Sequence, residues 1–216
     1  MSKVVTKERP ILMAGEMVRA VLAGRKTVTR RLAKGVCGDS AETWPYWPGG
    51  VHGGDFVRPE HCPIAQVGDR LWVRESYCPN YFDGGGHAYM ADWTGEVADV
   101  VPVPKWTPSI HMPRSAARIF LDVTSVRVER LHDITDDDAM AEGIQRFSGN
   151  HGECRFGSRD LSDRDRHRSW NDLPRSPIAA FQSLWDSLAT GDTRWCNNPW
   201  IWRVEFSDAA TPTITT

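Results

Sequence analysis

The stretch LAGRKTVTRR, residues 22–31, decides how the fold is read. Upstream of it, in AGEMVRAVLAG, Met17, Val18, Val21 and Leu22 recur at the i, i+3, i+4 spacing of an amphipathic helix. Gly24 then offers the residue type that takes the left-handed position after a last helical turn. KTVTRRL follows, short and β-branched, and reads as a strand. The junction places Lys26, Thr27 and Thr29 among Arg25, Arg30 and Arg31. Neighbouring positive charges disfavour another ammonium, so Lys26 is a candidate base with a lowered pKa. A solvated basic strand or a phosphate contact accounts for the same residues. In an ideal strand Lys26 and Thr29 point to opposite faces, so joint action needs an irregular turn after Gly24 or the reach of the lysine stem.

Working outward, RPILM at 9–13 reads as a short strand, and Gly68-Asp69 turns the chain into RLWVRESY. Alternation there sets Leu71, Val73 and Glu75 on one face and Arg70, Trp72 and Arg74 on the other. Facing the core, Glu75 needs a partner, either an arginine or the exocyclic amine of a base. HAYMADW, 87–93, reads as a further strand. In RIFLDVTSVRVERL, 118–131, Ile119, Leu121 and Val123 are in phase and Val126 and Val128 are out of phase with them, so a bulge or tight turn is expected near Thr124-Ser125. DITDDDAMAEGI reads as a short helix capped by Thr135 or Asp136. Ser176-Pro177 makes a cap and first-turn pair for PIAAFQSLWDSLA. PWIWRVEF closes the pattern, with Trp200, Trp202, Val204 and Phe206 alternating.

About six strands with two or three helices and no βαβ alternation indicate an α+β fold or small barrel, not a Rossmann sheet. The 216 residues fit one domain, 9–207, with flexible tails at 1–8 and 208–216. Segments 35–66 and 145–175, rich in Gly, Pro, Trp or charge, read as two long surface loop insertions. The net charge of −2 hides a basic N-terminal region: residues 1–34 hold nine Lys or Arg against Glu8 and Glu16. Five cysteines at irregular spacing argue against a disulfide framework, and no metal site is expected from His52, His61, Cys37 and Cys62. No apolar leader or membrane-length run is present, which indicates a cytoplasmic protein with no membrane partner, as monomer or homodimer.

LAGRKTVTRR closely resembles the signature of ASCH-domain proteins, in which a helix ends in Gly and a Lys-Thr-x-Thr-x-Arg strand follows. GDRLWVRESY, KWTPSIHMPRSAARIFLDVTSVRVERL, ITDDDAMAEGI and NPWIWRVEF resemble longer bacterial and phage-borne members in the same order, from about Arg9 to Phe206. The resemblance implies a PUA-like small β-barrel. Some small members of that family are amidohydrolases that deacetylate N4-acetylcytidine, and by that resemblance Lys26 is the base, Thr29 the nucleophile and Glu142 the acid. Arg31 matches the arginine that follows the threonine and is expected to bind an oxyanion or a carbonyl. Read from the residues alone, Glu142 is equally a solvated helix acid.

Ser109, His111 and Arg114, in TPSIHMPRSA, are candidate phosphate or base contacts, with loop packing as the plain alternative. Trp44, Trp47 and Trp106 lie in or beside loops and are candidates for stacking a base. Three functions fit these residues. One is an amidohydrolase acting on an acylated pyrimidine nucleoside or modified nucleobase, without a cofactor. The second is a non-catalytic PUA-like module binding RNA or DNA. The third is a ribonuclease using Lys26, Arg31 and an acid.

Overall fold

The computed structural model describes residues 7–36, 46–47, 55–93, 104–149, 152–158 and 170–208. Strand β1 (Glu8–Leu12) and helix α1 (Gly15–Leu22) lead into β2 (Val28–Leu32), and two short strands follow, β3 (Tyr46–Trp47) and β4 (Asp55–Phe56). Next come β5 (Arg70–Arg74), β6 (Tyr77–Phe82), β7 (Gly86–Tyr89) and the long β8 (Phe120–Arg130). Helix α2 (Asp136–Ala141), β9 (Gln145–Ser148), β10 (Cys154–Gly157), helix α3 (Pro177–Leu188) and β11 (Trp200–Asp208) complete the order.

The main sheet has five strands in the order β1-β5-β8-β11-β2. β1 runs parallel to β5, and the other three pairings are antiparallel. β1 and β2 are its edges, so the described hydrogen bonding leaves an open sheet rather than a closed barrel. The stretch with a bulge or tight turn expected near Thr124-Ser125 forms the single strand β8. Its register against β11 shifts there: Glu205 lies opposite Ser125 and Phe206 opposite Val123, which leaves Thr124 as the extra residue of a bulge. That bulge resets the phase, so Leu121, Val123 and Val126 are all buried on one side.

They join Leu71, Val73, Trp202, Val204 and Phe206 in the main core. Fully burying such a side chain contributes about 1.5–3 kcal/mol. Ile201, of opposite phase on β11, packs with Leu131, Ile134, Ala139, Ile144, Ala180 and Phe181 in a second core that joins α2 and α3 to the sheet.

The strand number was underestimated in the sequence. Eleven strands are described, because β6 pairs with β7 and two short pairings, β3–β4 and β9–β10, fall in the segments read as insertions. Pro79 and Asn80, the latter at φ +51°, interrupt the pattern of β6 and hid it. HAYMADW is a strand only as far as Tyr89, and Met90–Asp92 is a turn of 3-10 helix.

Candidate functional site

Two helix endings bring the site together. At α1, Arg25 N donates to Ala20 O at 2.9 Å and Gly24 N to Val21 O at 2.8 Å, with Gly24 at φ +68°. At α2, Ile144 N donates to Ala139 O at 3.4 Å and Gly143 N to Met140 O at 2.9 Å, with Gly143 at φ +101°. Both are the paired bonds of a Schellman ending. The released segment 25–27 is then clamped, as Thr27 N donates to Ala141 O and Thr27 O accepts from Phe206 N, each at 2.9 Å. Lys26 therefore lies in an irregular turn before β2 begins, beside Glu142 just past the end of α2. A Cβ on Gly143 would stand 2.9 Å from the Ala20 Cβ and 3.4 Å from the Lys26 Cβ, so glycine is needed there for space as well as conformation.

Lys26 is 2% exposed and Glu142 4%. Lys26 Nζ donates to Glu142 Oε2 at 2.6 Å, to Glu142 O at 3.0 Å and to Val28 O at 2.8 Å. An ammonium has three donors, and these acceptors take all of them. Burial holds the Lys26 pKa below the usual lysine range. The Glu142 carboxylate works against that shift, and the Arg31 and Arg30 charges add to it. Arg30, its side chain wholly buried, approaches the second Glu142 oxygen, Oε1, at 3.3 Å.

Thr29 is also buried, but it lies opposite Val204 on β11, and Arg31 lies opposite Trp202. Both therefore share the main-core face of β2, while Arg30 turns to the face of Glu142. None of the Lys26 donors goes to Thr29. Arg31 reaches across to β1, where Nη2 donates to Leu12 O at 2.7 Å. Burial lowers the Arg31 pKa against the pull of Glu142.

Glu75 points inward as its phase requires and is 1% exposed. Arg118 grips it in a bidentate pair, Nε to Oε1 at 2.8 Å and Nη2 to Oε2 at 3.0 Å, binds Asp92 as well, and stacks over Tyr89 at 3.9 Å from the ring centre. Burial still pushes the Glu75 pKa up, against Arg118. Glu75 thus has an arginine partner and does not touch the Lys26–Glu142 pair. The two clusters flank the end of β1: Arg31 bonds Leu12 O, and Leu12 pairs with Arg74, the residue before Glu75.

Ser109 and His111 form a turn of 3-10 helix. Arg114 is committed elsewhere, to a bidentate pair with Glu8 at 2.7 and 2.9 Å and to the face of Phe120 at 4.2 Å. Trp106 packs edge-on against Trp93, while Trp44 and the side chain of Trp47 lie outside what is described.

An ion network around Arg30 was not singled out in the sequence. Arg30 also binds Glu129, from Nε at 3.2 Å and Nη2 at 2.9 Å, and Asp138 Oδ2 at 3.2 Å. Arg203 holds Asp138 Oδ1 at 2.7 Å and contacts Glu205. The available signal was the run WRVEF, where Arg203 and Glu205 alternate against buried Trp202 and Val204. Charge at that phase of a central strand has to be neutralised by whatever covers it.

Among the described residues no group of three or more His, Cys, Asp or Glu is placed to hold a metal, Cys62, Cys78, Cys154 and Cys196 are free thiols, and no helix is long and apolar enough to cross a membrane. Compared with known proteins, the chain matches no family model, no curated protein and no solved structure.

Proposed function

We propose that this chain is an ASCH-type, PUA-like amidohydrolase that removes an acyl group from a pyrimidine nucleoside or related modified nucleobase such as N4-acetylcytidine. The carrying observation is the buried Lys26–Glu142 contact at 2.6 Å, which joins two of the motifs on which the family resemblance rests, 116 residues apart. The Arg31 side chain spanning from β2 to Leu12 O supports a barrel-like curl of the sheet, since it links the two edge strands.

The pair supplies acid and base together. Moving one proton from Nζ to Oε2 converts ammonium and carboxylate into amine and carboxylic acid, a form that burial favours. Lys26 then exchanges its bond to Val28 O for one to the Thr29 hydroxyl and takes its proton as Oγ1 bonds to the acyl carbon. The C–N bond breaks as Glu142 protonates the leaving amine. Water attacks the acyl ester next, giving one proton to Glu142, and Lys26 returns one to Thr29 as the carboxylic acid departs. In this reading Arg31, on the same face as Thr29, stabilises the oxyanion.

A second reading, a nucleic-acid or base-binding module without catalysis, is favoured by one observation: Lys26 already spends every donor on protein acceptors. The test is an acylated-nucleoside turnover screen run beside binding to labelled RNA. Hydrolysis by the wild type, lost in Thr29→Ala and partly kept in Thr29→Ser, is expected. No turnover, with RNA affinity that falls steeply as salt rises, would replace the hydrolase with the binding module. Thr29 is a cleaner probe than Lys26, because removing Lys26 leaves Glu142 buried with Arg30 alone, a loss of about 3–5 kcal/mol.

A further inference from the structure

The Lys26–Glu142 pair is held between charges on four elements. Arg30 and Arg31 come from β2, Glu129 and Arg127 from β8, Asp138 from α2, and Arg203 and Glu205 from β11. Only one of these groups touches both the pair and the rest of the network. Arg30 contacts Glu142 Oε1, on the opposite oxygen from Lys26, and its other nitrogens are fixed by Glu129 and Asp138. Those two carboxylates are in turn shared with Arg203, at 3.9 Å and 2.7 Å. The guanidinium is thus pinned at both ends, and a planar fork holds two carboxylates in fixed orientation where a lysine holds one.

We propose that Arg30 is a positioning residue that orients the Glu142 carboxylate toward Lys26 and sets how readily the pair gains or loses its proton. This rests on reading Lys26–Glu142 as the acid–base pair. Arg30 lies against Glu142 and never bonds Thr29, so it acts through the pair and not on substrate. Its positive charge opposes protonation of the pair as a whole. The active form, carrying one shared proton, is bounded below by a step in which the pair gains a second proton and above by a step in which it loses the first. Both steps belong to the pair and not to either residue. Removing a positive charge this close makes the pair easier to protonate, so both steps move to higher pH, by about 1–3 units.

The experiment is the pH profile of kcat/KM for wild type, Arg30→Met, Arg30→Lys and Glu129→Gln. Arg30→Met is expected to move both limbs up while KM stays within about twofold, on the view that Arg30 contacts no substrate. Arg30→Lys restores the limbs but not the full rate. Glu129→Gln frees positive charge and moves both limbs down, which keeps the idea testable if Arg30→Met fails to fold. Titration of the Lys26 side-chain nitrogen by NMR supplies a readout without substrate, with a midpoint raised in Arg30→Met. A lower rate with limbs and midpoint unmoved would make Arg30 purely structural and overturn the proposal. A wild type without turnover but with the expected NMR shifts would sink the hydrolase reading alone.

Discussion

Replacing Gly143 by alanine tests the joint that brings Lys26 beside Glu142. Two costs add. At φ +101° an L side chain is strained, which costs on the order of 1–3 kcal/mol. The new Cβ also meets the Ala20 Cβ at 2.9 Å and the Lys26 Cβ at 3.4 Å, neither a flexible side-chain end, and overpacking of this kind costs about 1–3 kcal/mol. The expected loss is therefore about 2–6 kcal/mol. Gly152→Ala is the internal control, because its φ is +78° while nothing lies within 4 Å of its would-be Cβ, so strain alone applies. Urea unfolding of the variants reads the difference as a shift in midpoint at unchanged slope. Equal, small losses in both would show that α1 and α2 part freely at this point, and the close packing that positions Lys26 would have to be abandoned.

Two further outcomes follow from the buried charges. Glu75→Leu alone, leaving Arg118 and Asp92, is expected to cost about 3–5 kcal/mol, and the double variant Glu75→Leu/Arg118→Met clearly less, as measured by denaturant unfolding. Additive losses would deny the pairing. For Lys26 the folded pKa is lowered by burial, so between that value and the unfolded pKa of about 10.4 the unfolded chain binds more protons than the folded one. Wild-type stability should then rise with pH relative to Lys26→Met in that window, by at most about 1.4 kcal/mol per unit, and a gap that narrows with rising pH would show that Glu142 outweighs burial.

The phase of hydrophobic residues carried much of the fold into view. The break between Val123 and Val126 calls for a bulge or tight turn near Thr124-Ser125, and the bulge falls at Thr124; the inward Glu75 needs a partner, which is Arg118; and of the two candidate caps of α2, Thr135 accepts from Asp138 N at 3.1 Å. Each of these is a local rule acting over a few residues. What stayed hidden depends on distant pairing. The β3–β4 and β9–β10 pairings and the second strand beside β7 leave little periodicity in short segments. Within the site, Lys26 and Glu142 were legible as residues, and their contact was not, because it is created by the Thr27–Ala141 backbone bond and a glycine that fits no side chain. Arg30 looked like one more cation in a basic run. Its importance lies in Glu129 and Asp138, which approach from about 100 residues away and whose positions no local pattern reveals.

The central claim is that Thr29 carries the acyl group between substrate and water. Rapid acid quench of the wild type with an isotopically labelled N4-acylated cytidine, followed by peptide mass mapping, tests it directly. The label is expected as an ester on the Thr29 side chain, transient in the wild type and absent from Thr29→Ala. Steady hydrolysis with no label on Thr29, or full activity in Thr29→Ala, would contradict it and transfer the nucleophile to a water molecule activated by Lys26.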